Sequence, residues 1–257
     1  MNLVLISSNI RFDNPDDGAN AWPHRKAILS EILLSHDPHI IATQEGRKGQ
    51  LKEFGDLLEQ FEIVDHHREW IDERMYPSFF LKKDQFKLLS SNDFWLSETP
   101  LKAGSLSFGS AFPRLMTWMK LRPENTSQDL LIVNTHLDHI KSQTRFEQIK
   151  VLTEGIKKVK NHDAKLIIMG DFNDGPHSEI RNYLNQSFPE LHDSWSLYNP
   201  SEEASHHSFN GENRSGSRID WVLADKELII EECFLEKKSI NGKYPSDHFP
   251  VVCKIKL

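Results

Sequence analysis

The apolar residues of this chain fall into short runs, and several of those runs stop at a side chain able to do chemistry. "LVLISSN" closes on Asn9, "HIIATQE" on Gln44 and Glu45, "LLIVNTH" on His136, and "LIIMGDFN" on Asp171 and Asn173. Apolar runs this short, bounded by turn residues, predict strands buried on both faces. Helical patterns lie between them. Ile28 with Ile32, and Leu29 with Leu33, share one face of "WPHRKAILSEILLSHD", where Pro23 suits a first turn. Leu51, Phe54, Leu58 and Phe61 predict one face of a second helix, and Phe146, Ile149, Ile156 and Val159 that of a longer third. Ser178 is placed to cap a short fourth helix carrying Ile180 and Leu184. This alternation predicts an α/β protein with a mixed sheet.

The middle of the chain differs. "PSFFLKKDQFKLLSSNDFWLSE" and "RLMTWMKLR" read as consecutive antiparallel strands. "RIDWVLAD", "LIIEECFLEK" and "PVVCKIKL" close the chain as strands. The stretch 199–217, rich in Ser, Asn, Glu, His and Gly, reads as a long surface loop, and loops of that length are often functional. No linker or internal repeat divides residues 1–257, so one domain is expected.

Charge bears on what such a protein can bind. The formal net charge is −7, which gives no electrostatic footprint for broad nucleic-acid binding. It does not exclude a nuclease, because a local groove or a bound metal can supply positive charge. Cys233 and Cys253 lie in separate apolar stretches, where two small core residues are favoured over a disulfide. "MNLVLISSNIRF" reads as a first strand and not a signal peptide, and no segment approaches membrane-spanning length. The expected location is the cytoplasm.

Taken singly, the polar strand ends have plain structural explanations. Asn9 suits a turn, Glu45 a solvated acid, His136 a hydrogen-bonded core imidazole. Asp220 can pair with Arg218, and Asp247 can cap the loop before the last strand. Taken together these explanations weaken. Burying several carboxylates and imidazoles is expensive unless something pairs them, and a divalent cation is the simplest common partner. Carboxylate and amide oxygens with few imidazoles suit Mg²⁺ or Mn²⁺. The histidine pairs at 66–67 and 206–207 lack zinc-site spacing and read as solvated. Trp22, Trp70 and Trp95 can stack on a base, although packing is the commoner use of an aromatic ring.

Six motifs carry a resemblance over nearly the whole chain: "SNIR" at 8–11, "QE" at 44–45, "NTHLD" at 134–138, "GDFN" at 170–173, "SRID" at 217–220 and "SDHFPV" at 246–251. In type and order they resemble the endonuclease/exonuclease/phosphatase superfamily, which includes DNase I-like nucleases and several phosphatases. "RFDNPDDG", "FWLSETP" and "YPSDHFPV" resemble an uncharacterised bacterial branch of it.

The resemblance implies a four-layer α/β/β/α sandwich of two mixed sheets, with the site at one edge. It implies a metal-dependent phosphoesterase using Mg²⁺ or Mn²⁺, with Glu45, Asn9 and Asp247 at the metal. Asp171 and Asn173 would position the attacking water, His248 and His136 would hold the phosphoryl oxygens, and Asp220 would orient His248. Arg11 and Arg114 become candidate phosphate contacts. Arg11 stands where AP endonucleases carry an acid, which argues against that activity. Its alternative is an ion pair with Asp13, Asp16 or Asp17. The substrate is a phosphate ester. Nucleic acid and small molecules both stay open, with a slight lean to the small molecule, and so does a binding module with a dead site. The oligomeric state is open.

Overall fold

The structure, a computed structural model, describes residues 2–124 and 126–257. In chain order the elements are β1 (Asn2–Asn9), α1 (Trp22–Leu34), β2 (Ile40–Gly46), α2 (Lys48–Leu57), β3 (Phe61–Ile63), β4 (Tyr76–Lys82), β5 (Phe86–Trp95) and β6 (Leu115–Pro123). They continue with β7 (Leu130–His136), α3 (Ser142–Val159), β8 (Lys165–Asp171), α4 (Glu179–Ser187), β9 (Leu191–Asp193), β10 (Asp220–Asp225), β11 (Ile229–Leu235) and β12 (Val251–Lys256).

These strands make two mixed sheets, ordered β11-β12-β1-β2-β4-β3 and β5-β6-β7-β8-β10-β9. Alternation along each strand builds the layers. Leu3, Leu5, Ile40 and Ala42 of the first sheet share a core with Ile132, Ile167, Met169 and Val222 of the second. The alternate residues Ile6 and Ile41 turn outward to Leu29 and Leu33 of α1 and Phe54 of α2. Leu131, Leu166 and Ile168 turn outward to Ile149, Leu152 and Ile180 of α3 and α4. The expected four-layer sandwich is therefore the observed fold. Among the described residues no helix is long and apolar enough to cross a membrane.

Four local expectations need correction. Helix α2 stops at Leu57; Phe61 is buried as expected but begins the short strand β3. β4 and β5 are consecutive in sequence yet lie in different sheets, whereas β5 and β6 do pair antiparallel. Ser178 occupies the cap position of α4, but its side chain makes no capping hydrogen bond. The 199–217 loop is not all surface, because Ser205 and His207 within it are buried. The cysteines are free and buried, facing each other across β11 and β12.

Strand direction creates the edge where the site forms. β1 runs parallel to β2, and β7 parallel to β8. Their C-terminal ends carry Asn9, Gln44, His136 and Asp171, with Asn9 opposite Gln44 and His136 opposite Asp171. β10 is antiparallel to β8, so it begins where β8 ends, and Asp220 faces Asp171. β12 likewise begins beside the end of β1.

Close packing of β7 on β8 depends on Gly170. Its φ is +134°, and a Cβ there would lie 2.1 Å from the Thr135 carbonyl oxygen. Gly170→Ala therefore combines a backbone that L-residues avoid with a backbone clash. It is expected to destabilise the protein by about 3 kcal/mol or more, read as the shift of the urea unfolding midpoint. Loss below about 1 kcal/mol would show that the close approach is dispensable.

Candidate active site

The first sheet contributes its carboxylate through a distorted strand end. The β2–β4 pairing slips between Thr43 and Gly46, and Glu45 in that bulge has φ +68°. Bulges re-aim a side chain at the cost of regular pairing. Here the Glu45 carboxylate accepts hydrogen bonds from Asn9 Nδ2 at 3.1 Å and from the Phe12 amide at 3.0 Å. The same Asn9 Nδ2 donates to Asp171 Oδ2 at 3.0 Å, and Asn9 Oδ1 accepts from the Arg11 amide. One amide thus ties a carboxylate of each sheet together. Below it, Gln44 Nε2 donates to Asn134 Oδ1 at 2.8 Å, a second polar link between the sheets.

Asp171 is buried in the second sheet. Its Oδ1 accepts the Asn173 amide at 2.8 Å, and its Oδ2 lies 3.5 Å from His136 Nε2 and 3.9 Å from His248 Nε2. Burial and the neighbouring Asp220 push its carboxyl well above the usual range. The strand stops at Asp171, sooner than the extended reading through Asn173. Asn173 has φ +51°, a conformation asparagine tolerates, and its Nδ2 donates to the Leu137 carbonyl. Phe172 points the other way, stacked on Trp221 with centroids 4.2 Å apart.

Arg114 fixes the state of one imidazole. It is buried, and among the described residues no carboxylate lies within ion-pair distance of it and its Nε has no hydrogen-bond partner. Its Nη1 lies 3.0 Å from His136 Nδ1 and its Nη2 3.4 Å from His139 Nδ1. A guanidinium can only donate, so both Nδ1 atoms accept, and each neutral ring carries its proton on Nε2. Burial and the adjacent guanidinium hold His136 well below the ordinary imidazole pKa. His136 is a neutral donor aimed at Asp171.

His248 is the opposite case. Burial opposes its charge, but Asp220, Asp171 and Asp247 outweigh burial and raise its pKa well above the ordinary value. Its Nδ1 lies 2.8 Å from Asp220 Oδ2, the pairing expected for that carboxylate. Asp220 does not pair with Arg218, which binds Asp193 and Glu202 instead. Two imidazoles near one carboxylate are thereby held in different charge states.

Asp247 arrives on the loop before β12, where Ser246 Oγ donates to the Asn9 carbonyl at 2.6 Å. Arg11 resolves to the ion pair: its Nε and Nη2 each lie 2.9 Å from Asp17, although it still lines the cavity, with Nε 4.0 Å from Asp247. Glu45, Asp171 and Asp247 line that cavity together with His136, Arg114 and His248. Three carboxylates in one cavity are an oxygen-rich donor set that fits a hard divalent cation. Two tighter groupings also occur, His206 with Asp247 and His248, and Asp171 with Asp220 and His248. Within the second, Asp220 and His248 are already hydrogen-bonded to each other.

Every expected site residue therefore lies at this edge. Trp22 and Trp95 are instead buried, and Trp70 packs on Tyr76 at 4.8 Å. The histidine pairs are not simply solvated. His67 is half-buried 3.3 Å from Asp93, His207 stacks on Phe249, and His206 lines the cavity beside His248. His139 and Phe112 line it too, with no periodic signal in the sequence. Arg25 was also not anticipated. From α1 it donates to the carbonyls of Ile10, Arg11 and Pro245, holding the backbone beside Arg11 and Asp247. Its i, i+4 spacing to Leu29 on the buried face of α1 was the available signal.

The family model described as "Endonuclease/Exonuclease/phosphatase family" matches residues 6–248. Nocturnin of Mus musculus is 23% identical over 264 residues, covering 90% of this chain and 58% of Nocturnin. This chain thus spans little more than half of that relative. The solved mannosyl-6-phosphatase of Bacteroides thetaiotaomicron VPI-5482 is 25% identical with TM-score 0.89, covering 99% of this chain and 100% of the other. Zebrafish (D. rerio) TDP2, solved with a single-strand DNA product, shares the fold at TM-score 0.77 and 18% identity, covering 100% and 99%.

A buried guanidinium without a carboxylate is costly in the free protein and suited to an anion. Arg114→Met is expected to leave the melting temperature unchanged or raised, and to abolish stabilisation by inorganic phosphate. Thermal melts of both proteins with and without millimolar phosphate test this. Equal phosphate stabilisation of the variant would remove Arg114 from the anion site.

Proposed function

Because this chain belongs to the endonuclease/exonuclease/phosphatase family, whose members hydrolyse phosphoesters, we propose that it is a Mg²⁺- or Mn²⁺-dependent hydrolase of this kind and that the Asp171 cluster is its catalytic centre. The observation that carries the reading is the set of donors around one buried carboxylate. A neutral imidazole, a cationic imidazole and a guanidinium without a carboxylate partner lie at Asp171, His136 and Arg114 being joined directly.

Asp171 holds the attacking water and takes its proton, a role for which a raised carboxyl pKa is suited. Asn173 braces Asp171 through its backbone amide. Phosphorus gains a bond to the water oxygen and loses its bond to the ester oxygen, which leaves as the alcohol with a proton taken from solvent. Charge on the non-bridging oxygens is met by Arg114, by the Nε2 proton of His136 and by cationic His248, donors in place before the reaction starts. Asp220 keeps His248 charged and oriented. Glu45 and Asp247 would hold the metal, with Asn9 fixing Glu45 against Asp171. When bound, the ion neutralises phosphoryl charge.

Phosphate release from p-nitrophenyl phosphate and bis(p-nitrophenyl) phosphate in Mg²⁺ or Mn²⁺ is the direct test. Asp171→Ala, Glu45→Gln and His248→Ala are each expected to lose about 10²–10⁴-fold in kcat, and EDTA to abolish turnover. Full activity of Asp171→Ala on either ester would refute the assignment. Millimolar Mn²⁺ is expected to raise the melting temperature of wild type, and of Glu45→Gln by much less.

A further inference from the structure

The part of the cavity that the reaction leaves unused points to the substrate class. Resting on the phosphoester-hydrolase reading above, we propose that His206, His139 and Phe112 form a leaving-group site, and that the substrate is the monophosphate ester of a small, uncharged, hydroxyl-bearing alcohol such as a sugar.

The charge available in the cavity supports a single phosphate. Among the described residues lining it there is no lysine, and the arginines are Arg11 and Arg114. Asp17 chelates Arg11 through two contacts of 2.9 Å. Arg114 is the guanidinium left for an anion, and it lies at the reacting centre beside His136. A polyanionic strand needs cations spaced along a groove. This cavity, of about 300 Å³, is at the small end of small-molecule sites.

An aromatic ring and two imidazoles flank the centre, with the Asp247 carboxylate 3.9 Å from His206. β8 lies between β7 and β10. On the β7 side, Phe112 is 44% exposed and stacks on His139, with an interplanar angle of 21°. Because His139 Nδ1 accepts from Arg114, its Nε2 is the donor. On the β10 side stands His206, from the 199–217 loop, edge-on to His248 with centroids 4.8 Å apart. An exposed ring beside imidazoles that can donate and accept suits the apolar face and hydroxyls of a sugar.

His206 is also held in place, which an idle loop residue would not need to be. It pairs with His248 in an isolated antiparallel bridge. On either side of it the His207 amide donates to Asp247 O at 2.7 Å and the Phe249 amide to Ser205 O at 2.8 Å. Ser205 Oγ accepts from the Ile219 and Asp220 amides. Buried Arg218 clamps the loop through Glu202 and β9 through Asp193.

The test compares leaving groups. Wild-type protein in Mg²⁺ or Mn²⁺ is assayed on hexose monophosphates, on p-nitrophenyl phosphate, whose leaving group has no further hydroxyl, and on a single-stranded oligodeoxynucleotide. Hexose monophosphates are expected to be the best substrates. His206→Ala is expected to lower the ratio of kcat/KM for hexose phosphate over p-nitrophenyl phosphate about tenfold, mainly through KM, and His206→Gln to recover most of that ratio. An equal loss on both esters would make His206 merely structural and overturn the leaving-group site. Cleavage of the oligonucleotide without turnover of any monoester would overturn the substrate class while the hydrolase reading stands. Inertness toward all three substrates in both metals would sink the hydrolase reading itself.

Discussion

A single side-chain amide joins the two halves of this fold where the chemistry is placed. Asn9 Nδ2 reaches Glu45 on its own sheet at 3.1 Å and Asp171 on the facing sheet at 3.0 Å. Two carboxylates brought this close repel unless something polar lies between them. Asn9 supplies that group, and its backbone carbonyl in turn accepts from Ser246, which fixes the loop carrying Asp247. The distance between the sheets, set by apolar packing, therefore also sets the spacing of the acids. A change in core volume far from the edge would be felt there, because packed interiors transmit strain.

The electrostatics rest on a similar economy. Around Asp171 the groups are pushed into different protonation states by their surroundings alone. Burial and Asp220 raise Asp171, burial and Arg114 lower His136, and the three carboxylates raise His248 against burial. Arg114, 3.0 Å from His136, can hold it neutral because among the described residues no carboxylate lies within ion-pair distance of the guanidinium. A carboxylate placed there would neutralise the guanidinium and release the imidazole to titrate. The exposed cost of Arg114 in the free protein is thus part of how the site is tuned.

Much of this was legible in the sequence, for a definable reason. Polar residues at the ends of buried strands are costly singly, so their recurrence at Asn9, Glu45, His136 and Asp171 was informative before any contact was known. What was not legible depends on long-range placement. Phe61 continues the helical spacing of Leu51, Phe54 and Leu58, yet the chain has already turned into β3, because tertiary pairing with β4 outweighs periodicity. β4 and β5 look like a hairpin, but nothing local says which sheet a strand joins. His206 sits in a polar stretch indistinguishable from a solvated loop, and only its bridge to His248 brings it to the cavity. Arg11 had two readings of equal standing, and Asp17 decided between them through geometry that spacing alone does not give.

The segment from Gly170 to Asn173 shows how one strand end carries both a cost and its compensation. Asp171 is buried with a charge that its surroundings disfavour. The next residue, Phe172, is fully buried on Trp221, and Arg181 lies over the far ring system at 4.0 Å. Burying a phenyl side chain contributes about 2–3 kcal/mol, which offsets part of the cost of a desolvated carboxylate that also accepts two hydrogen bonds. The two side chains point to opposite faces, Asp171 into the cavity and Phe172 onto Trp221, so the aromatic anchor lies outside the cavity and the acid lines it. Gly170 then permits the contact with Thr135 that sets β8 against β7, and Asn173 turns the backbone at φ +51° so that its amide braces the acid from behind. The acid is positioned by the core, and its neighbours in sequence supply part of the stability that holds an unfavourable charge at the edge of the fold.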